Sequence, residues 1–357
     1  MTIPVSTLGL SLQMRAIVRN TQGQVAAVAN EVGTGFHNDV AAVLGGRMAE
    51  AVSLRGTYDQ IEAYQSSIAS MQMRTKAMAD VLKSVDEAAN KVLGELAAAS
   101  EGASSNISQL PQSAMSALTR IVSALNASVE GRSLFAGVAV DSPALQDPSR
   151  PAPGMAQSPI DMIKGLIAAN PPTSPAGIQA LVTAIGRSFA SDPALPPGQR
   201  FEGAFYRGTP GRDASGQSHP RIAGRADDGM RVDYGLQAND AGLRGILQGL
   251  TMIAAADLPA MPPDAQAAYV KAAFQTLGAG LSAMRQDVAR LGGQQADLDA
   301  AKARNDSRLA LLNSRIVGLE QIDPLVANAR MEVLKQQLAA SLDLTRALQN
   351  LTLARVS

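Results

Sequence analysis

The sequence contains no cysteine and no tryptophan, and aromatic residues make up only 3% of its 357 positions. The absence of cysteine excludes disulfides, cysteine nucleophiles and thiolate metal sites. The low aromatic content is unfavourable for a ligand-binding enzyme core. Basic and acidic residues number 31 each, so the net charge is zero and the basic surplus typical of nucleic-acid-binding proteins is missing. The length is sufficient for about two or three domains.

Long apolar runs are also missing. No stretch reaches the roughly 18 apolar residues that a membrane-spanning helix needs. Residues 1–10 have neither the basic region nor the continuous apolar segment of a secretory signal peptide. We therefore expect a protein that is not embedded in a membrane and that, if it leaves the cell, is exported without a cleaved signal.

The side chains that could support catalysis are few. His37 and His219 lie in polar stretches, and neither has a partner at metal-ligand spacing. Asp213, Ser215 and Ser218 lie near His219 and offer the residue types of a hydrolase triad. A loop of Gly, Ser and Pro, however, provides neither the rigid turn nor the oxyanion hole that a nucleophile needs. We expect no enzyme activity, no cofactor and no metal site.

Helical periodicity is the main signal in the chain. Residues 1–13, with Pro4 and Gly9, are predicted to be irregular. A heptad seam, typical of a coiled coil, then begins and ends before Gly33 and Gly35. Its positions are Met14, Val18, Thr21, Val25, Val28 and Val32.

Two longer patterns predict long helices on either side of the middle of the chain. The first holds the heptad spacing from Leu54 to Ala99, a length on the order of 70 Å. The second runs from Tyr269 to Leu319 and is weakened only at Gly292-Gly293. A third, shorter helix is predicted to continue through Val129.

The middle of the chain has a different character, because prolines cluster between residues 138 and 238. The patterns there predict short helices and strands, and Asp227-Asp228-Gly229 favours a hairpin turn. The predicted helices are 160–169 and 178–190, followed by 241–256; the predicted strands are 201–206, 221–225 and 230–234.

The last part of the chain predicts a helix that is apolar on two faces. Asp323-Pro324 is typical of a helix start, and no Gly or Pro follows up to Leu353. One stripe contains Met331, Leu334, Leu338, Leu342 and Leu353. The other, roughly 120° around the helix, contains Val326, Val333, Leu344, Leu348 and Leu351.

Two interpretations of this helix remain open at this point. In the first, the ends of the chain pack together in an ordinary intramolecular bundle. In the second, the heptad seam of residues 14–32 covers one face and the other face meets a different subunit. Heterologous contacts of that kind build open helical filaments.

Several segments, taken in order, resemble the bacterial flagellins and, more closely, the hook–filament junction proteins of the hook-associated type. The long helix begins near Gly46-Arg47, and residues 131–137 match that family's G-x-x-LFAG exit. The remaining matching segments are Val5-Ser6-Thr7, residues 221–234 with 241–256, Leu319-Glu320-Gln321 and Leu351-Thr352-Leu353. Pro324 departs from the family's nearly continuous path and predicts a kink there.

The resemblance implies a mainly α fold: a long antiparallel coiled-coil rod formed by the N- and C-terminal helices, with a small α+β insertion. It implies an assembly domain of residues 1–45 with 320–357, a rod domain of 46–137 with 239–319, and an outer insertion of 138–238.

The function implied is that of a non-enzymatic subunit of the extracellular flagellum, which joins the hook to the filament through its terminal helices. The implied partners are copies of itself, neighbouring hook-associated and flagellin subunits, and an export chaperone on the C-terminal helix, with no nucleic acid and no membrane. Flagellin itself is an alternative, as is a coiled-coil adaptor or sensor module.

Limited proteolysis of the purified monomer tests the assembly interpretation. We expect loss of roughly the first 45 and last 35 residues and a resistant middle, because helices that lack a partner open readily. Termini as resistant as the middle would support the intramolecular bundle instead.

Overall fold

The computed structural model describes residues 7–100, 107–213 and 215–353. These residues are mainly α-helical, as predicted, and divide into two compact units, Tyr64–Asn305 and the two terminal segments on either side of it. The helices are α1 (Thr7–Thr34), α2 (Val40–Leu44), α3 (Met48–Ser100), α4 (Leu110–Leu125), α5 (Pro159–Ala169), α6 (Pro175–Phe189), α7 (Phe201–Ala204), α8 (Ala241–Ala255), α9 (Pro263–Glu320) and α10 (Pro324–Leu353). The strands form two antiparallel hairpins: β1 (Ser128–Val129) with β2 (Arg132–Ser133), and β3 (Ala223–Arg225) with β4 (Arg231–Asp233).

The long predicted helices are confirmed. Helix α3 contains 53 residues and α9 contains 58, and α9 continues through Gly292-Gly293. The chain leaves helical geometry between Glu320 and Pro324, which confirms the predicted interruption. The Asp323 carboxylate accepts hydrogen bonds from the backbone N–H groups of Leu325 (2.9 Å) and Val326 (3.4 Å) and so caps α10.

Two local predictions are wrong at the ends of helices. Residues 7–13 were predicted to be irregular because of Pro4 and Gly9, but they are helical and form the start of α1. Val129 belongs to strand β1 rather than to a helix, because Asn126 ends α4. Glu130 and Gly131 both have positive φ, at 53° and 74°, and form the tight turn that pairs β1 with β2.

The strand predicted for residues 201–206 is also wrong. Phe201 and Phe205 stand one helical turn apart in and beside α7, and both rings contact Phe189, with ring centroids 5.4 and 5.3 Å away. In a strand these two residues would lie on the same face but about 13 Å apart. Their ring centroids are 5.6 Å apart, so the aromatic cluster favours the helical turn. Gly203 permits this turn because a Cβ there would lie 2.0 Å from the carbonyl oxygen of Pro197.

In the Tyr64–Asn305 unit, α8 is buried along most of its length and packs against α4, α5 and α6. It also approaches α9 at backbone distance. A Cβ on Gly242 would lie 2.4 Å from the backbone nitrogen of Met284, and one on Gly280 would lie 2.5 Å from that of Ile246. Glycine is therefore required where these two helices meet.

The segment with the LFAG sequence lies inside this unit rather than on its surface. Phe135 is fully buried, and its carbonyl oxygen accepts a hydrogen bond from the backbone N–H of Ala238 at 2.9 Å. The next carbonyl, of Ala136, accepts from the N–H of Thr209 at 2.9 Å. The segment thus joins the end of the β1–β2 hairpin to two later parts of the chain.

The predicted β3–β4 hairpin is confirmed and packs on two helices of the same unit. Val232 and Tyr234 form a small core with Met71 of α3 and Leu298 of α9.

In the described part of the chain, no helix combines the length and apolar character needed to cross a membrane.

Two glycine-to-alanine substitutions in α9 should have opposite effects on the free energy of unfolding. Gly280→Ala places a methyl group against the backbone of α8 and should destabilise the protein by about 1–3 kcal/mol. Gly292→Ala, with no atom within 4 Å of the new methyl, should stabilise it by about 0.5–1 kcal/mol. Chemical denaturation monitored by circular dichroism measures both, and equal effects would contradict the close packing of α8 on α9.

Candidate assembly interface

Helices α1 and α10 pack against each other in the unit that contains both ends of the chain. The backbone N–H of Ile322 donates to the carbonyl oxygen of Gly35 at 3.0 Å, and the N–H of His37 donates to that of Glu320 at 3.0 Å. The end of α1 therefore lies beside the start of α10, and the two helices run antiparallel.

On α1, the least exposed positions follow the heptad spacing. Thr21 and Val28 are buried, at 5% and 3% exposure. The other positions of this seam are half-buried: Met14, Val18, Val25 and Val32. The structure thus brings the predicted α1 residues together on one face.

The inner face of α10 also follows a heptad spacing. Ala327 and Leu334 are each 7% exposed, and Met331, Leu338, Ser341 and Thr345 are half-buried. Leu342, predicted for this face, lies at its edge and is 37% exposed, because the repeat after Leu338 continues through Ser341 and Thr345. The hydroxyls of these two residues donate to carbonyl oxygens one turn earlier, so each can lie on the inner face.

The second stripe of α10 remains exposed. Val326, Val333 and Leu344 are 63%, 62% and 48% exposed. At 100° per residue these three lie within about 20° of one another and about 110° from the inner face. Leu348 and Leu351 lie in α10 on the same side by this geometry, but their side chains are outside the described residues, as is that of Leu353.

Exposed apolar side chains are concentrated in this unit of the molecule. Of the large hydrophobic residues that are exposed in the described part of the chain, only Met73 and Val138 lie in the Tyr64–Asn305 unit. Those in the terminal unit that the sequence analysis missed are Leu12, Ile17, Phe36, Val43, Met48, Val52, Leu311 and Leu325. The terminal unit therefore carries most of the large exposed apolar side chains among the described residues. The only sequence signal for this concentration is the occurrence of isolated apolar residues outside the heptad positions.

A bidentate ion pair fixes the point at which α9 ends and α10 begins. The Arg55 guanidinium donates from Nε to Oε1 of Glu320 at 2.9 Å and from Nη2 to Oε2 at 2.6 Å. These hydrogen bonds to Glu320 raise the pKa of Arg55 above its usual range. The Glu31 carboxylate of α1 accepts a hydrogen bond from the N–H of Asn38 at 3.0 Å, which holds the loop after α1. These contacts join α3 to the end of α9, and α1 to the loop that follows it, within the terminal unit.

The loop residues considered for catalysis make hydrogen bonds within their own loop. The Ser215 hydroxyl donates to the Asp213 carboxylate at 2.6 Å, and this hydrogen bond lowers the pKa of Asp213. The backbone N–H of His219 donates to the carbonyl of Gly211 at 3.2 Å, as expected for a folded loop. Within the described ranges, no cluster of His, Asp and Glu side chains has the arrangement needed to hold a metal ion.

Comparison with known proteins finds a family model that matches the first part of the chain. A solved structure described as a candidate flagellar hook-associated protein from Vibrio parahaemolyticus is similar, with a TM-score of 0.49 and 15% sequence identity, over 77% of this chain and 98% of that one. No curated protein sequence matches the chain. The family model of the bacterial flagellin N-terminal helical region matches residues 5–140, which include α1, α3, α4 and the LFAG segment. Over residues 5–140, the chain is therefore similar to the N-terminal helical region of the bacterial flagellins.

Proposed function

We propose that this protein is a structural, non-enzymatic subunit of the bacterial flagellum, and that it assembles into a tubular layer joining the hook to the filament. The observation that carries the proposal is the two-sided character of α10. Its inner face packs on α1, while Val326, Val333 and Leu344 on its other face are 48–63% exposed in the described part of the single chain. The match of residues 5–140 to the flagellin family supports the assignment to the flagellum.

The physical basis of assembly is burial of the exposed stripe by a second copy. Full burial of one Val or Leu side chain contributes about 1.5–3 kcal/mol relative to its exposed state. The inner face is already used by α1, and in the proposed assembly the outer stripe meets an unlike surface on the next copy. A contact between unlike surfaces continues from subunit to subunit, as a tube requires.

The proposed division of the chain follows the same logic. Residues 1–45 with 320–357 form the assembly domain, since they contain the α1–α10 pair. Residues 46–137 with 239–319 form the helical domain, and 138–238 form an outer insertion that contains the shorter helices and the β3–β4 hairpin.

The proposed partners are copies of this chain within the layer, with hook-associated and flagellin subunits on either side of it. Before assembly, an export chaperone covers the exposed stripe of α10, since apolar patches of this kind promote aggregation in a free subunit. The proposed location is outside the cell, in the flagellum. Nucleic acid and membrane are not among the proposed partners.

Flagellin, the bulk subunit of the filament, is the alternative within the same family. The LFAG segment, the 14 methionines and the Leu-Ala-Arg-Val-Ser ending favour the junction subunit. A deletion strain distinguishes the two, because loss of a junction subunit leaves the filament protein intact but unattached.

Two truncations at neighbouring positions of α10 should affect the isolated protein differently. Leu334→Ala removes a side chain that packs toward α1 and should destabilise the α1–α10 pair by about 2–3 kcal/mol. Val333→Ala removes an exposed side chain and should change stability by less than about 0.5 kcal/mol. Amide hydrogen exchange of α1 measures the difference. Similar exchange rates in the two variants would contradict the assignment of the two faces.

Val333→Asp should block assembly without unfolding the subunit, because it places a charge where a second copy must bury an apolar side chain. We expect a deletion strain to make hooks without filaments and to shed flagellin into the medium. Complementation with V333D should leave that phenotype unchanged.

The matched control is Asn328→Asp, which introduces the same charge at an exposed polar position of α10. At 100° per residue this position lies about 150° around the helix from the exposed stripe, so N328D should restore filaments. Normal filaments in the deletion strain would contradict the junction function. Normal filaments with V333D would contradict the role of the exposed stripe.

A further inference from the structure

Arg74 of α3 is a buried cation without an acidic partner. Its residue exposure is 7%, and its Nη2 donates to the carbonyl oxygen of Ser133 at 3.0 Å. Its Nε is buried and has no hydrogen-bond partner, and no ion pair involves Arg74 among the described residues. By contrast, Arg55, Arg221 and Arg285 are all more exposed, yet each pairs with a carboxylate.

Burial of the Arg74 guanidinium costs free energy unless a further group compensates its positive charge. A guanidinium has five N–H donors, and here one of them has a protein acceptor. Burial of a charge without an opposite charge costs several kcal/mol, more than one hydrogen bond to a neutral carbonyl returns. The buried guanidinium of Arg74 therefore indicates that an anion binds beside it.

Arg74 lines a cleft of about 410 Å³ within the Tyr64–Asn305 unit. The walls come from α3, from the β1–β2 hairpin and from the β3–β4 hairpin. Ser70 of α3 adds a hydroxyl, and Val138 and Val140 form an apolar side. The volume exceeds that of a single inorganic ion, since one water occupies about 30 Å³ in the liquid.

The charged groups that face the cleft are mostly arginines. Arg132, Arg221 and Arg231 line it together with Arg74, whereas Glu130 is the one carboxylate among the described lining residues. Arg221 forms an ion pair with Asp240 at 2.5 Å, and Arg231 forms one with Asp233 at 3.4 Å. Arg132 is exposed and forms no ion pair among the described residues. The tight turn at Glu130-Gly131 fixes the strand that presents it.

We propose that this cleft is a binding site for an oxyanion group, a phosphate or a carboxylate carried by a small molecule. Arg74 binds the anion from the floor of the cleft and Arg132 binds it from the rim. Planar guanidinium N–H groups match the oxygens of both anions and form charge-assisted hydrogen bonds with them. The site is independent of the terminal unit and of the assembly function proposed for it.

Isothermal titration calorimetry of the full-length protein tests this proposal, with inorganic phosphate and acetate as probes at constant ionic strength in chloride. We expect saturable binding of at least one of them. Stronger binding of phosphate would identify a phosphoryl ligand, and stronger binding of acetate would identify a carboxylate ligand. The loss of a charge-assisted hydrogen bond in R74Q or R132Q should raise the Kd about tenfold or more.

The control is Arg120→Gln, which removes an exposed arginine of α4 outside the cleft and should leave the Kd unchanged. R132Q alters an exposed rim residue, so it remains a valid test if R74Q does not fold. Binding of neither anion above the chloride background would overturn the proposal. An equal loss of binding in R120Q and R132Q would overturn it as well, since it would indicate a general charge effect.

Discussion

The antiparallel contact between α1 and α10 is the constraint on which the terminal unit depends. It joins residues from opposite ends of the described chain, and its inner positions on α10 are apolar up to Leu338 and then continue with Ser341 and Thr345. One helix of this diameter can bury only part of the apolar surface of another. With α1 on one side, Val326, Val333 and Leu344 stay exposed. The exposed stripe is thus a direct result of pairing a two-faced helix with a single partner.

The direction of α10 is set by the chain around its start. Glu320 ends α9, binds Arg55 through both carboxylate oxygens and accepts the backbone N–H of His37. Asp323 then caps the new helix by accepting hydrogen bonds from the N–H groups of Leu325 and Val326. Both faces of α10 therefore have defined positions in the terminal unit, which a specific interface requires.

The long helices and the seam of α1 were predictable because their apolar residues recur with helical period and because Asp323-Pro324 marks a start. Leu342 was assigned to the inner face on hydrophobicity alone, whereas the repeat selects the polar residues Ser341 and Thr345. The helical turn at Phe201 depends on a contact with Phe189. The apolar pattern of residues 201–206 alone does not reveal this contact. The Arg74 cleft was also beyond sequence reasoning, because its residues come from α3 and from two hairpins that are distant in the chain.

Assembly through α10 requires its outer stripe to be exposed in the isolated subunit and covered by a neighbouring subunit in the assembly. The absence of cysteine allows a direct measurement, since Val333→Cys introduces the single thiol of the chain. Its rate of alkylation by a maleimide can be compared in the isolated subunit and in assembled hook–filament material, with Asn328→Cys as a reference on the polar side. We expect the thiol at position 333 to react rapidly in the subunit and to be protected in the assembly, while the thiol at position 328 reacts in both. Equal reactivity at position 333 in the two states would contradict it.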